Sequence, residues 1–193
     1  MVSPPLIRLL LIRHAPSAAQ GRLAGRLDVP ATLPATLALA KTSLARLLPA
    51  PHGLFTSPAL RCRQTAEALF PGTSYNQNSQ LWEQDFGAWE GQKAATLPDL
   101  GPLSRAELAA HRPPGGETFL DVAARAAPAL EEIAADGPAI VITHAGVIRV
   151  ALGLALGDLA QGLAFEVAPL SATLLTASGG VWSIGFVNLA LAP

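Results

Sequence analysis

The sequence predicts an α/β fold built on a mostly parallel sheet, and three observations predict it. Short apolar runs of strand length, at residues 6–12, 53–56 and 139–143, alternate with segments that carry the apolar spacing of helices. The first run, broken only by Arg8, has the near-continuous apolar character of a buried strand, and the third is rich in β-branched residues. All three runs stop at polar residues with chemistry to offer: Arg13-His14, then Ser57-Pro58 leading to Arg61, then His144. Strands joined by helices lie parallel, so those ends share one edge of the sheet, where α/β proteins bind their ligands.

Composition narrows the function classes. A chain of 193 residues, half of them apolar and 14% charged, suits one globular domain over residues 1–193 with a substantial core. The formal net charge of −1 excludes a general nucleic-acid or anionic-membrane surface, so an anion site has to be a local group of arginines. Only Lys41 and Lys93 are lysines, and the other eleven basic residues are arginines, whose planar fork suits phosphate or carboxylate. The single cysteine, Cys62, and the lack of a secretory pattern at the N-terminus point to the cytoplasm. The apolar stretch from Ala139 to Leu156 is interrupted by His144 and Arg149, so no membrane span is expected.

Along the chain, residues 17–32 hold Gly21, Gly25, Pro30, Arg22 and Arg26, a loop expected to fold back over the first strand's end. Leu37, Ala40, Leu44, Leu47 and Leu48 place an apolar stripe on a helix over 35–48, which Pro49 and Pro51 stop. Ser57-Pro58 predicts a helix start, with Ser57 as N-cap and Pro58 first in the helix, running to about Phe70. Arg61 then falls in the first turn, where a phosphate would meet free backbone N–H groups. Residues 79–81 are expected to form a short strand. The run from Trp82 to Gly91 mixes three aromatics with acidic and amide groups, as a loop that buries rings and presents a carboxylate. Short helices are expected over 92–112. Thr118 and Asp121 form a capping box for a helix with Phe119, Ala123, Ala127, Leu130 and Ile133 on its apolar stripe. After His144 another helix opens at Ala145-Gly146, and residues 170–177 and 181–189 form a hairpin around Ser178-Gly179-Gly180.

Two arginines and two histidines at strand ends point to an anion site, phosphate above all. Zinc, the competing use of two histidines, needs a third ligand at suitable spacing, and the sequence shows none. His52 and His111, beside prolines, are expected on the surface. A serine hydrolase would need Gly-x-Ser-x-Gly after a strand, which is absent.

Leu11 to Ala15, Ser57 to Ala66, Glu83 to Gly91 and Thr143 to Arg149 resemble, in order, the four motifs of the histidine phosphatase superfamily, the phosphoglycerate mutase-like proteins. The resemblance implies a three-layer α/β/α sandwich and a metal-independent enzyme without cofactor. It makes His14 the nucleophile that forms a phosphohistidine and Glu83 the proton donor. Arg13, Arg61 and His144 would bind the phosphoryl oxygens, with Ser17, Gln20, Arg22 and Ala145 adding phosphate or substrate contacts. Ala15 and Ala145 stand where the family usually has glycine, and Gln20 where many members have asparagine. Phosphatases and mutases share this chemistry. Only 53 residues separate Glu90 from His144, which leaves little to cover the site and favours a phosphatase. Residues 27–30, 85–91 and 112–118 look most like α-ribazole phosphatases of cobalamin assembly, with broad-specificity sugar-phosphate phosphatases similar in the same places. The alternatives are phosphoglycerate mutase-type transfer and a non-catalytic phosphate-binding module. The expected partner is a small phosphomonoester, with neither nucleic acid nor membrane, and a homodimer is admitted.

Overall fold

The first apolar run becomes strand β1 (Ile7–Arg13), inside a six-stranded sheet. The computed structural model describes residues 6–47 and 53–191. The chain continues through α1 (Leu37–Leu47), β2 (Gly53–Thr56), α2 (Leu60–Leu69), β3 (Asn76–Gln77), α3 (Arg105–Ala110) and α4 (Phe119–Ala135). It ends with β4 (Ala139–Thr143), α5 (Ala145–Leu156), β5 (Ser171–Ser178) and β6 (Val181–Ala190). The strand order is β3-β2-β4-β1-β5-β6, in which β3, β2, β4 and β1 run parallel and the β5–β6 hairpin adds an antiparallel edge.

That order is what assembles the site. Arg13 lies opposite Thr143, and Thr56 opposite Ile142, so β2, β4 and β1 end at the same level. His14 N–H then donates to the Thr143 carbonyl at 2.9 Å, and Ser57 N–H to the Ile142 carbonyl at 3.0 Å. His144 therefore emerges between the other two strand ends.

The apolar runs are continuous because helices cover both faces of the sheet. Leu9, Leu11 and Val141 pack with α4 and α5, while Leu10, Ile12, Ile140 and Ile142 pack with α1 and α2 on the other side. This is the expected three-layer α/β/α arrangement. Helix α4 keeps its capping box: Asp121 N–H donates to Thr118 Oγ1 at 2.9 Å, and Thr118 N–H to Asp121 Oδ2 at 2.7 Å. Its buried stripe includes Phe119, Val122, Ala123, Leu130 and Ile133, with Ala127 only partly covered, and Pro128 sits on the exposed side. No described helix is long and apolar enough to cross a membrane.

Several expectations change. Residues 79–81 form one 3-10 turn instead of a strand, because the Asn78 side chain caps it by accepting from Gln80 N–H at 2.9 Å. The pairing beside β2 is made by Asn76–Gln77. Ser57 is not the N-cap of α2, which starts at Leu60 with Ala59 before it, so Pro58 is outside the helix. Asp28 supplies an acceptor from across the loop, taking Leu60 N–H at 2.7 Å. Residues 92–112 hold one 3-10 turn at Ala94–Thr96 and the short α3, which has its own Ser104–Glu107 capping box. His111 is half-buried and stacks on Trp89, with centroids 5.5 Å apart, so it is not a free surface residue. Leu48, Pro49, Pro51 and His52 lie outside the described residues.

Removing the α4 cap should cost stability without touching the site's groups. Thr118→Ala is expected to lower the unfolding free energy by about 1 kcal/mol, read as a reduced urea midpoint at unchanged m-value.

Candidate active site

Arg61 is the centre of the strand-end crevice. It lies at the second position of α2, is 1% exposed, and makes no ion pair among the described residues. Its donors go to neutral acceptors instead. Nη1 donates to the Leu27 carbonyl at 3.1 Å, and Nη2 to those of Ala24 and Gly25 at 2.8 and 2.9 Å. Nε donates to His14 Nε2 at 3.3 Å, and Nη2 to His144 Nδ1 at 3.2 Å. The 17–32 loop thus folds back over the strand end as expected, and its carbonyls hold the guanidinium.

These contacts favour one state of each ring. A guanidinium N–H can only donate, so His14 Nε2 and His144 Nδ1 each present a lone pair. His14 Nδ1 carries the proton and donates to the Ala15 carbonyl at 2.7 Å. His144 Nε2 carries its proton and donates to Ser57 Oγ at 2.8 Å. The rings meet edge to face, with centroids 5.1 Å apart, and Trp82 stacks flat on His144 at 6.3 Å. Burial, helped by Arg61 and Arg13 and opposed by the Ala15 bond, pushes the His14 pKa down to about 3. Burial, with Arg61 next in weight, also holds His144 well below the usual histidine range. Both rings are neutral at pH 7.

Arg13 closes β1. Its Nη1 donates to the Val167 carbonyl at 2.5 Å, while its buried Nε has no protein partner. Burial lowers its pKa, Glu83 opposes this, and Arg149 and Arg61 reinforce it. An orphaned donor beside two further guanidinium groups is what an anion would satisfy.

Glu83 reaches the same edge from the acidic loop. Its Oε2 accepts from Gly146 N–H at 3.1 Å, at the first turn of α5, and its Oε1 from Gln84 N–H at 2.9 Å. A Cβ on Gly146 would collide with Glu83 Oε1, so the approach requires glycine there. Arg125, on α4, clamps the loop by donating to the carbonyls of Gln80, Trp82 and Glu83 while paired with Glu117 at 2.8 Å.

A cavity of about 250 Å³ opens beside Glu83 and Gly146. Leu23, Phe86, Trp89, Leu108 and Leu163 give it apolar walls, and Arg149 and His111 are among its polar residues. Trp82 is turned away to His144 and Arg26, whose guanidinium lies 5.5 Å from its ring centroid.

The structure brings Arg13, His14, Arg61, Glu83 and His144 together. Ser17, Gln20 and Arg22 lie on the covering loop: Ser17 bridges to Ala31, Gln20 is exposed with φ +51°, and Arg22 donates to the Gly91 carbonyl at 2.9 Å. Ala145 follows His144 as the first residue of α5. Ala15 is fully buried, in the core cluster that includes Ala59 and Cys62, which gives its methyl a packing role. The backbone N–H groups expected free at α2 are taken in part: Ser57 Oγ accepts from Ala59 N–H and Asp28 from Leu60 N–H. Sequence reasoning missed Ser57, Arg125 and Glu117 as parts of the site. It also missed the role of Glu90, whose carboxylate accepts from the N–H groups of Gly25, Arg26, Leu27 and Phe86. Among the described residues no three His, Cys, Asp or Glu side chains are grouped to hold a metal ion.

A neutral histidine beside arginines that have no ion pair among the described residues, with a carboxylate alongside, makes a site suited to an anion. The chain belongs to the histidine phosphatase superfamily (branch 1), whose family model matches residues 9–190. Human 6-phosphofructo-2-kinase/fructose-2,6-bisphosphatase 4 is 33% identical over 125 residues, 63% of this chain and 26% of that protein. The chain thus spans about a quarter of the length of that curated relative. A mycobacterial glucosyl-3-phosphoglycerate phosphatase, solved with VO3, superposes with a TM-score of 0.80 at 25% identity, covering 95% of this chain and 100% of that one. An Escherichia coli str. K-12 protein, provisionally assigned as an alpha-ribazole-5'-P phosphatase, gives a TM-score of 0.77 over 94% of this chain and 96% of its own, and at 21% identity shares the fold alone.

Two buried neutral histidines make stability depend on pH. The unfolded chain takes up their protons near pH 6.5 while the native one refuses them down to about 3 for His14. Their contribution is therefore complete above pH 6.5 and is lost as pH falls. Urea unfolding should show stability declining between pH 6.5 and 5 by up to about 1.4 kcal/mol per pH unit for each ring. His14→Gln should remove its share of that slope. A flat profile over this range would contradict the neutral, buried assignment.

Proposed function

We propose that this protein is a phosphomonoester hydrolase working through a phosphohistidine on His14. The observation that carries the reading is the His14 ring: neutral, its Nδ1 proton committed to Ala15, its Nε2 lone pair aimed at Arg61. The Arg61 contact to Nε2 is long at 3.3 Å, so little is lost when that lone pair turns to phosphorus. Nε2 forms the N–P bond as the ester P–O bond breaks. Arg13 and Arg61 hold the equatorial oxygens where charge gathers, and His144 joins them when its Nε2–H turns from Ser57 Oγ to the phosphoryl group. Glu83 passes its proton to the departing oxygen, then takes one from the water that cleaves the phosphohistidine. No step requires a metal.

The leaving group is assigned to the cavity beside Glu83. Its walls of Leu23, Phe86, Trp89 and Leu163 suit an apolar or aromatic moiety. With the resemblance of residues 27–30, 85–91 and 112–118, this favours α-ribazole 5'-phosphate, and so a step in cobalamin assembly, as the substrate to try first. The mutase alternative is disfavoured by the short path of 53 residues from Glu90 to His144.

One set of assays tests the reading. Rapid quench with phosphorus-labelled substrate should trap acid-labile, base-stable label that His14→Ala abolishes. Glu83→Gln should slow an alkyl phosphate by about 10² to 10⁴-fold and spare p-nitrophenyl phosphate, whose leaving group needs no proton. The kcat/KM for α-ribazole 5'-phosphate should exceed that for sugar phosphates, with phosphate release outpacing any 3- to 2-phosphoglycerate isomerisation. Acid-stable label would move the nucleophile elsewhere. A tenfold preference for sugar phosphates would remove only the cobalamin assignment.

A further inference from the structure

Glu90 lies in the same loop as Glu83, and its carboxylate is already fully engaged. Oε1 accepts from Arg26 N–H at 2.9 Å and Phe86 N–H at 3.1 Å, Oε2 from Leu27 N–H at 3.1 Å, and Gly25 N–H reaches both oxygens at 3.1 Å. Arg61 bonds to carbonyls of the same loop, those of Ala24, Gly25 and Leu27. The Gly25 N–H and the Ala24 carbonyl belong to one peptide unit, and the Arg26 N–H and the Gly25 carbonyl to the next. In a trans peptide the N–H and C=O point in opposite directions. These two units therefore stand between Glu90 and Arg61, N–H toward the carboxylate and C=O toward the guanidinium. Leu27 adds a bond at each end from two successive peptide units, its N–H donating to Glu90 and its carbonyl accepting from Arg61 Nη1. Gly25 is required at the joint, because a Cβ there would collide with the Gln84 carbonyl and Glu90 Oε1.

We propose that Glu90 is a positioning residue for Arg61, acting through the peptide groups of residues 24–27. The carboxylate aligns and polarises those peptides, and their carbonyls fix a buried cation that has no carboxylate of its own. Arg61 in turn sets the two histidine lone pairs. The same Glu90 carboxylate also accepts from Phe86 N–H. The role assigned to Arg61 rests on the phosphatase reading, whereas the path from Glu90 to Arg61 stands on the geometry alone.

Glu90→Gln puts an amide N–H₂ against N–H donors and should loosen residues 24–27. Inorganic phosphate affinity by calorimetry should fall at least about tenfold. The kcat/KM should fall by a common factor of about 10 to 100 on both p-nitrophenyl and alkyl phosphates, by analogy with the loss seen when groups that orient metal ligands are removed. Glu90→Asp, which restores the charge one methylene short, should recover part of the loss. In an Arg61→Gln background the Glu90→Gln change should cost less than about twofold more, since its effect passes through Arg61. Additive losses, an unchanged phosphate affinity, or a loss confined to alkyl phosphates would overturn the proposal, the last pointing to Glu83 instead. If circular dichroism shows Glu90→Gln unfolded, the same cycle is read with Glu90→Asp. If the wild-type protein releases no phosphate from any ester, the phosphatase reading fails and the phosphate isotherms still decide the Glu90 proposal.

Discussion

The structure depends on one buried cation that has only neutral acceptors among the described residues. Arg61 is 1% exposed, and its donors end on three carbonyls and two imidazole nitrogens. A buried charge without a counter-charge is costly, and it becomes favourable when an anion arrives. It also dictates the state of its neighbours. A proton on His14 Nε2 or His144 Nδ1 would point a donor at a buried guanidinium, so both rings stay neutral and each keeps one tautomer.

The fold exists around that requirement. Placing β4 between β2 and β1 sets His144 between the strand ends that carry His14 and lead to Arg61. Two irregular segments then complete the edge: residues 24–27 supply carbonyls to Arg61, and residues 82–90 supply Glu83 and the Glu90 carboxylate. Neither segment has a ladder of its own, so side chains hold them. Arg125 and Glu117 anchor the acidic loop from α4 and its approach, and Thr143 Oγ1 donates to the Leu81 carbonyl at 2.9 Å to pin the loop's start. The cavity lies between that loop and α3, which explains why the aromatics Phe86 and Trp89 face it while Trp82 packs on His144.

Much of this was legible in the sequence, for identifiable reasons. β1 and β4 bury both faces, so Leu9 to Ile12 and Ile140 to Ile142 are apolar without alternation. The Thr118–Asp121 box marks α4 through side chains three residues apart, a local signal that survives folding. Ser57 misled because its local chemistry, Ser before Pro, is that of a helix cap, and a contact 87 residues away, to His144, overrode it. The strand expected at 79–81 failed because the Asn78 side chain accepts from Gln80 N–H, which favours a turn. Glu90 and Arg125 act on backbone groups distant in sequence, and no spacing rule reveals such partners. His111 read as a surface residue because its stacking partner, Trp89, is likewise remote.

The central claim is that Arg61 holds two neutral histidines in opposite tautomers, and nitrogen NMR of the free protein tests it most directly. With ¹⁵N-labelled imidazoles assigned by substitution, the account predicts His14 protonated on Nδ1 only and His144 on Nε2 only, both unchanged when the pH is lowered from 7.5 to 5. An imidazolium signal from either ring above pH 5, or a proton on His14 Nε2 at any pH in that range, would contradict it.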